Sequence, residues 1–221
     1  MDVQKAKDYS PIEEKFNIIS HAIGFILSIF ALVLLIIYAN LRGDVWHIVS
    51  FSIFGCSLIT LYAASTLYHS AKKAVLRSRL KILDHASIYI LIAGTYTPFA
   101  LVTLHGSIGW VIFGVIWGLA FTGIILKLFF TGKYNLLSTL MYVLMGWVII
   151  FAIKPLVESL PLEGFLWLLA GGIAYTIGAV LYSIKKIGFN HAIFHLLVLV
   201  GSFCQFMSVF FYVLPGRQFA N

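Results

Sequence analysis

Residues 189–203 read FNHAIFHLLVLVGSF, and the apolar run they open continues almost unbroken through Tyr212. A spanning helix needs roughly 20 apolar residues to cross about 30 Å of hydrocarbon, and this run supplies them. His191 and His195 stand four residues apart at one end of it. On a helix they share a face, one turn from each other. Imidazoles facing lipid find no hydrogen-bond partners, so an inward-facing pair is expected and asks for company.

Six further segments pass the same length test, at about 18–39, 46–68, 82–103, 108–128, 137–153 and 164–184, with the last at 191–213. The fifth is the shortest. Of 221 residues, 61% are hydrophobic and only 10% charged, which excludes a soluble domain of this size and marks an integral membrane protein. The expected fold is all-α, one bundle of seven transmembrane helices. Residues 1–17 form a cytoplasmic segment and helix start, 18–213 the membrane domain, and 214–221 a short outside tail. Lys5, Lys7, Lys15 and four acids fill the opening, and no small-residue cleavage site follows the first apolar run, so no signal peptide is expected. Cys56 and Cys204 lie in apolar runs, with neither a disulfide framework nor a thiolate motif, and read as packing residues. Glycines such as Gly171 and Gly172 fall inside helices, where small residues let neighbours approach.

Charge fixes the expected orientation. With the N-terminus inside, Lys5, Lys7, Lys15, Lys72, Lys73, Arg77, Arg79, Lys81, Lys127, Lys133, Lys185 and Lys186 are cytoplasmic. Only Arg42, Lys154 and Arg217 lie outside. Asp2, Asp8, Glu13, Glu14 and Asp84 are inside, against Asp44, Glu158 and Glu163 outside, so the whole net charge of +7 sits on the inner face. Six or eight spans would spoil this alternation. A multi-pass protein of the cell membrane follows, its C-terminus outside and its basic face toward the anionic headgroups of the inner leaflet. Basic and aromatic residues do not interleave, so no nucleic-acid partner is expected.

This topology sorts the polar residues by depth. His69 ends the second span in ASTLYHSAKK, Asp84 falls in the first turn of the third span, and His191 and His195 begin the seventh. Three histidines and a carboxylate thus reach one depth from three helices. That donor set suits Zn2+, closed in a structural site or leaving one position for water in a catalytic one. The i, i+4 pair aims two nitrogens one way, and no cysteine favours a softer metal. Ser65, one turn before His69, is placed to hydrogen-bond a group near the metal or a substrate, or else its own helix. His85 points about 100° away from Asp84 and reads as structural or interfacial. His47 and His105 fall on the outer side and are expected in solvent. Ser10, Pro11 and Glu13 form a capping-box pattern. Glu14, Asn17 and His21 follow at i, i+3 and i+7, either a stripe that supports or admits to the site, or a solvated helix start. Pro98 predicts a kink, with Thr95, Tyr96 and Thr97 available to the freed carbonyls.

EEKFNIISHAIGF, STLYHS, LDHASIYILIAGTYTPF and NHAIFHLL resemble the bacterial hemolysin III proteins, which belong with the progestin and adipoQ receptors and, more distantly, the alkaline ceramidases. The resemblance runs from Glu13 to about Phe211. It implies a seven-helix bundle with an inside N-terminus and a zinc site on the cytoplasmic side. Carried over by motif, His69, His191 and His195 hold zinc, Asp84 serves as base or water-orienter, bound to the metal directly or through water, and Ser65 assists. No large extracellular domain is present, so the hormone-receptor role of eukaryotic relatives transfers poorly.

Three functions fit these residues. The first is a zinc-dependent hydrolase within the membrane, acting on a lipid amide or ester, with Asp84 and Ser65 catalytic. The second is a sensor or regulator of membrane lipid or energy homeostasis, its zinc structural. The third is a pore or transporter tied to cytolysis, which the lack of ionisable residues at the midplane disfavours.

Overall fold

The computed structural model describes residues 9–131 and 135–213. The expected tail 214–221, Lys5, Lys7, Lys133 and Arg217, and the acids Asp2 and Asp8 lie outside the described residues. Helix α1 runs Pro11–Arg42, started by Ser10, whose Oγ accepts the Glu13 amide at 3.2 Å, with Pro11 pre-set for the first turn. Only this half of the expected capping box forms. A full one caps α2 (Val45–Ser70) instead. Asp44 Oδ1 accepts the amides of Trp46 and His47, and the His47 ring reaches back to the Asp44 amide. His47 is therefore buried and not in solvent as expected. Exposed His105 fills the tight turn into α4.

Helix α3 (Ala74–Pro98) passes into a π-helical stretch, Phe99–Leu104. Pro98 has no N–H for the Gly94 carbonyl, and the chain answers by widening the helix. The threonines do not repair that carbonyl. Thr95 and Thr97 donate to Leu91 and Ala93, each at 2.8 Å. Helix α4 spans Gly106–Phe130. The fifth crossing follows as α5 (Asn135–Gly146), a 3-10 segment (Val148–Ala152) and α6 (Ile153–Ser159). It covers Leu136–Ser159, 24 residues, so it is not the shortest span; α7 (Leu162–Ser183) has 22. Tyr96 mends its break, donating to the Gly146 carbonyl at 2.7 Å and accepting the Ile149 amide at 2.9 Å. The last crossing is α8 (Asn190–Ser208) with a π-helical end, Val209–Val213.

Among the described residues, seven helical stretches are long and apolar enough to cross a membrane, and all regular structure is helical. The protein is a multi-pass membrane protein. Lipid solvates apolar side chains as well as protein does, so close packing must join the helices. At Gly94 an added Cβ would lie 2.2 Å from Ser57 Oγ, and at Gly171 one would lie 2.5 Å from Gln205 Nε2. These glycines set how near α2 approaches α3 and α7 approaches α8. The third span is 72% buried, the second and seventh 50%, and the others at most 28%, so the spans expected to carry the site are the innermost. Phe30, Phe121 and Phe151 project outward, as a lipid-facing surface requires. Cys56 also faces outward, so of the two cysteines only buried Cys204 packs inside.

Candidate metal centre

The start of α8 is fixed by its neighbour. Phe189 takes a left-handed conformation (φ 57°), and Asn190 Nδ2 donates to the carbonyls of Tyr182 and Ile184 at the end of α7. This anchor aims the first turns of α8 at the end of α2. There His191 Nε2 lies 3.1 Å from His69 Nε2 and 3.0 Å from His195 Nε2. All three rings are buried, and one nitrogen from each lies within 4.8 Å of the others.

Hydrogen bonds on the far side of two rings decide what these nitrogens carry. His69 Nδ1 lies 2.7 Å from Glu14 Oε2, and a carboxylate only accepts, so Nδ1 holds the proton. His195 Nδ1 faces the Asn17 carbonyl at 3.3 Å, with the same consequence. Both Nε2 atoms then present lone pairs toward His191 Nε2. One proton on that atom satisfies one neighbour and leaves the other lone pair facing nitrogen. A cation between the three removes the conflict. Tetrahedral ligation at about 2.0–2.1 Å sets ligand nitrogens about 3.3 Å apart, close to the separations seen. The three buried histidines therefore form a group fit to hold a metal ion.

The stripe on α1 supports this centre; it is not a solvated helix start. Asn17 and His21 are buried. Glu14 joins three helices, accepting from His69 on α2 and from Arg77 Nη2 on α3. Arg77 Nη1 also reaches the carbonyls of Tyr68, His69 and Ala71, at 3.5, 3.4 and 3.4 Å. His21 stacks on His195 with centroids 3.6 Å apart, and neither of its ring nitrogens has a hydrogen-bond partner among the described residues. Tyr9 stacks on His191 at 4.7 Å, and burial raises its hydroxyl above the ordinary phenol range. Sequence reasoning missed Tyr9, for which no signal existed, and the role of Arg77. The signal for Arg77 was its place seven residues before Asp84, on the same face of α3.

Asp84 is buried at the same end of the bundle but is not part of the three-histidine group. Ser65 Oγ is buried beside it, without a geometrically good partner. Asp84, His191 and His195 line one cavity of about 190 Å³. It runs deep between α3, α5, α7 and α8, past Leu91, Phe165 and Val198 to Gln205. His85 lines it too.

Fold and centre define a class: a seven-helix membrane protein with a buried histidine triad at one end of an apolar cavity. The chain belongs to the haemolysin-III related family, whose pattern matches residues 9–206. It is 52% identical over 203 residues to Hemolysin-3 of Bacillus cereus, covering 92% of this chain and 93% of that one. To the Hemolysin-3 homolog of Bacillus subtilis (strain 168) it is 50% identical over 200 residues, covering 90% and 94%. The human Monocyte to macrophage differentiation factor is 28% identical over 207 residues, covering 91% and 84%.

Proposed function

We propose that this protein is a zinc-dependent hydrolase of a lipid amide or ester, working within the membrane. The observation that carries the reading is the shared cavity, where His191 and His195 of the triad, a buried carboxylate and an apolar channel meet. Zinc fits the donor set of three neutral imidazoles without thiolate. When bound, it would acidify water and polarise the scissile carbonyl. His69, His191 and His195 would hold the ion, while Glu14 and the Asn17 carbonyl would keep two of those rings in the ligating tautomer. Asp84 stands outside the triad, suited to act through water. Its carboxylate accepts a proton from the attacking water and returns it to the leaving nitrogen or oxygen as the C–N or C–O bond breaks. Ser65 Oγ orients that water or the carbonyl oxygen.

The positive-inside rule supports a cytoplasmic side for the basic end of the bundle, which carries the site. Ile150 and Ile153 line the cavity and are also exposed on the bundle surface, which favours entry from the bilayer beside the broken fifth span.

The test is Asp84→Asn in purified protein supplied with lipid amides and esters of varied chain length. The variant is expected to keep its zinc and lose hydrolysis by about 10²–10⁴-fold. Undiminished turnover with zinc retained would remove Asp84 from the chemistry. One observation favours a second reading. Glu14, His69, Arg77 and His191 tie α1, α2, α3 and α8 together, as a structural zinc in a lipid-sensing regulator would require. A wild type that holds zinc and hydrolyses no lipid in that panel would turn the choice to it. Lysis, which the names of the Bacillus relatives suggest, has less support, because the described mid-span positions carry no Asp, Glu, Lys, Arg or His.

A further inference from the structure

Gln205 follows His195 by ten residues on α8, lines the deep end of the cavity and is 3% exposed. The missing side chain of Gly171 leaves room for its amide between α7 and α8. Nε2 donates to the Leu168 carbonyl at 3.2 Å. Turning the amide over would set Oε1 against that carbonyl oxygen, so the two atoms are fixed in place. Oε1 is then buried with no hydrogen-bond partner among the described residues. A tie between α7 and α8 accounts for the nitrogen but not for the oxygen. An unpaired buried acceptor costs about 1–3 kcal/mol, and hydrocarbon has no donor to give it.

The hydroxyls that line the cavity toward Gln205 are engaged elsewhere. Tyr96 donates to the Gly146 carbonyl at 2.7 Å, and Thr95 and Thr176 donate to Leu91 and Gly172, each at 2.8 Å. Tyr175 pairs with Ser202 Oγ at 3.0 Å. A trapped water needs two or more polar partners, and a single acceptor does not supply them. A donor carried in by a ligand needs only that one acceptor, the kind of polar point that orients a molecule in an apolar pocket. Ten residues of helix place Gln205 about 15 Å from His195, about half the thickness of the hydrocarbon. Between them the cavity runs past Leu91, Phe165 and Val198. An acyl chain with its carbonyl at the triad reaches Gln205 with its far part, and the donor that such a chain can carry there is a hydroxyl.

We propose that Gln205 Oε1 is a specificity-determining acceptor for a hydroxyl carried far along a lipid chain, so that the cavity selects hydroxylated acyl chains. This rests on the reading that the cavity takes a lipid, and it narrows that lipid to one with a chain hydroxyl. The probes are ω-hydroxydodecanoate and dodecanoate, whose extended length matches the span from His195 to Gln205. Their equilibrium binding is measured on protein supplied with zinc, in nanodiscs of neutral lipid, with empty nanodiscs subtracted. The affinity ratio of hydroxylated to plain chain should be about tenfold higher in wild type than in Gln205→Met. Dodecanoate should bind Gln205→Met at least as tightly as wild type, which reports an intact cavity. An equal ratio in the two proteins, as a water already held by Gln205 would give, would overturn the selection. A second arm uses wild type alone. The ratio should be about tenfold lower for ω-hydroxyoctanoate over octanoate, whose chain ends short of Gln205. The same ratio at both lengths would overturn the placement at Gln205. Binding of neither dodecanoate would overturn the selection and the lipid cavity together. Binding is read without turnover, so a protein that selects the hydroxyl through Gln205 yet hydrolyses nothing would lose the hydrolase reading and keep this one.

Discussion

Replacing Glu14 by glutamine removes one negative charge and almost no volume. In the wild type one oxygen of that carboxylate takes His69 Nδ1 at 2.7 Å and the other takes Arg77, with the side chain 19% exposed. The bond to His69 fixes the tautomer that turns the Nε2 lone pair toward the triad, and the negative charge makes that lone pair a better donor. A glutamine carbonyl can still accept from Nδ1, so tautomer control is weakened but not abolished. Loss of an outer partner of this kind lowers metal affinity by about 10–100-fold, and the retained hydrogen bond puts Glu14→Gln near the lower end, about 1.4 kcal/mol. Arg77 keeps its contacts to the Tyr68, His69 and Ala71 carbonyls, so the bundle should still fold. The assay is competition for zinc between detergent-purified protein and a fluorescent chelator at neutral pH. Affinity within about twofold of wild type would show that Glu14 does not tune the centre, and the tautomer argument would fail with it.

Tyr96→Phe deletes the hydroxyl that serves both Gly146 and Ile149 at the break in the fifth span. With no water in the hydrocarbon to replace it, the change should destabilise by about 1–3 kcal/mol. Amide exchange of residues 147–152 should rise first; unchanged protection there would mean the break is held by something else. Asp44→Ala removes the cap of α2 and should cost about 1 kcal/mol at neutral pH, read as a lowered Tm. The bond from His47 holds the Asp44 carboxyl below the usual carboxylate range. The cap's electrostatic contribution is thus fully present above about pH 3.9, the unfolded value, and is lost as pH falls through the lower folded value. The Tm gap between wild type and Asp44→Ala should close in that acid range and stay open at neutral pH.

The histidine triad was legible because depth is legible. Once apolar run length and cation placement set the topology, His69, His191 and His195 had to meet at one end of the bundle. What escaped were contacts that depend on packing angle. Arg77 and Lys127 counted in the sequence as two more inner cations, yet one braces Glu14 and the end of α2 beside His69 and the other turns into the cavity. Nothing in hydropathy separates a cation facing headgroups from one facing a cavity. His47 was misplaced because a capping box can use histidine at a position where Glu or Gln is the usual signal. The fifth span was cut short at 153 because Lys154 and Pro155 end the apolar run there, whereas the chain stays helical through them to Ser159. The 3-10 break before it, held by the Tyr96 hydroxyl from another helix, left no mark in the sequence.

Metal content bears most directly on the buried triad. Elemental mass spectrometry of detergent-purified protein, prepared without chelators, should find about one zinc per chain in the wild type and none in His195→Ala. Retention of Ser202 between the Tyr62 and Tyr175 hydroxyls, one to two turns further along α8, should keep that variant folded for the comparison. A wild type free of zinc, or a His195→Ala protein with full zinc occupancy, would contradict the assignment of His69, His191 and His195 as its ligands.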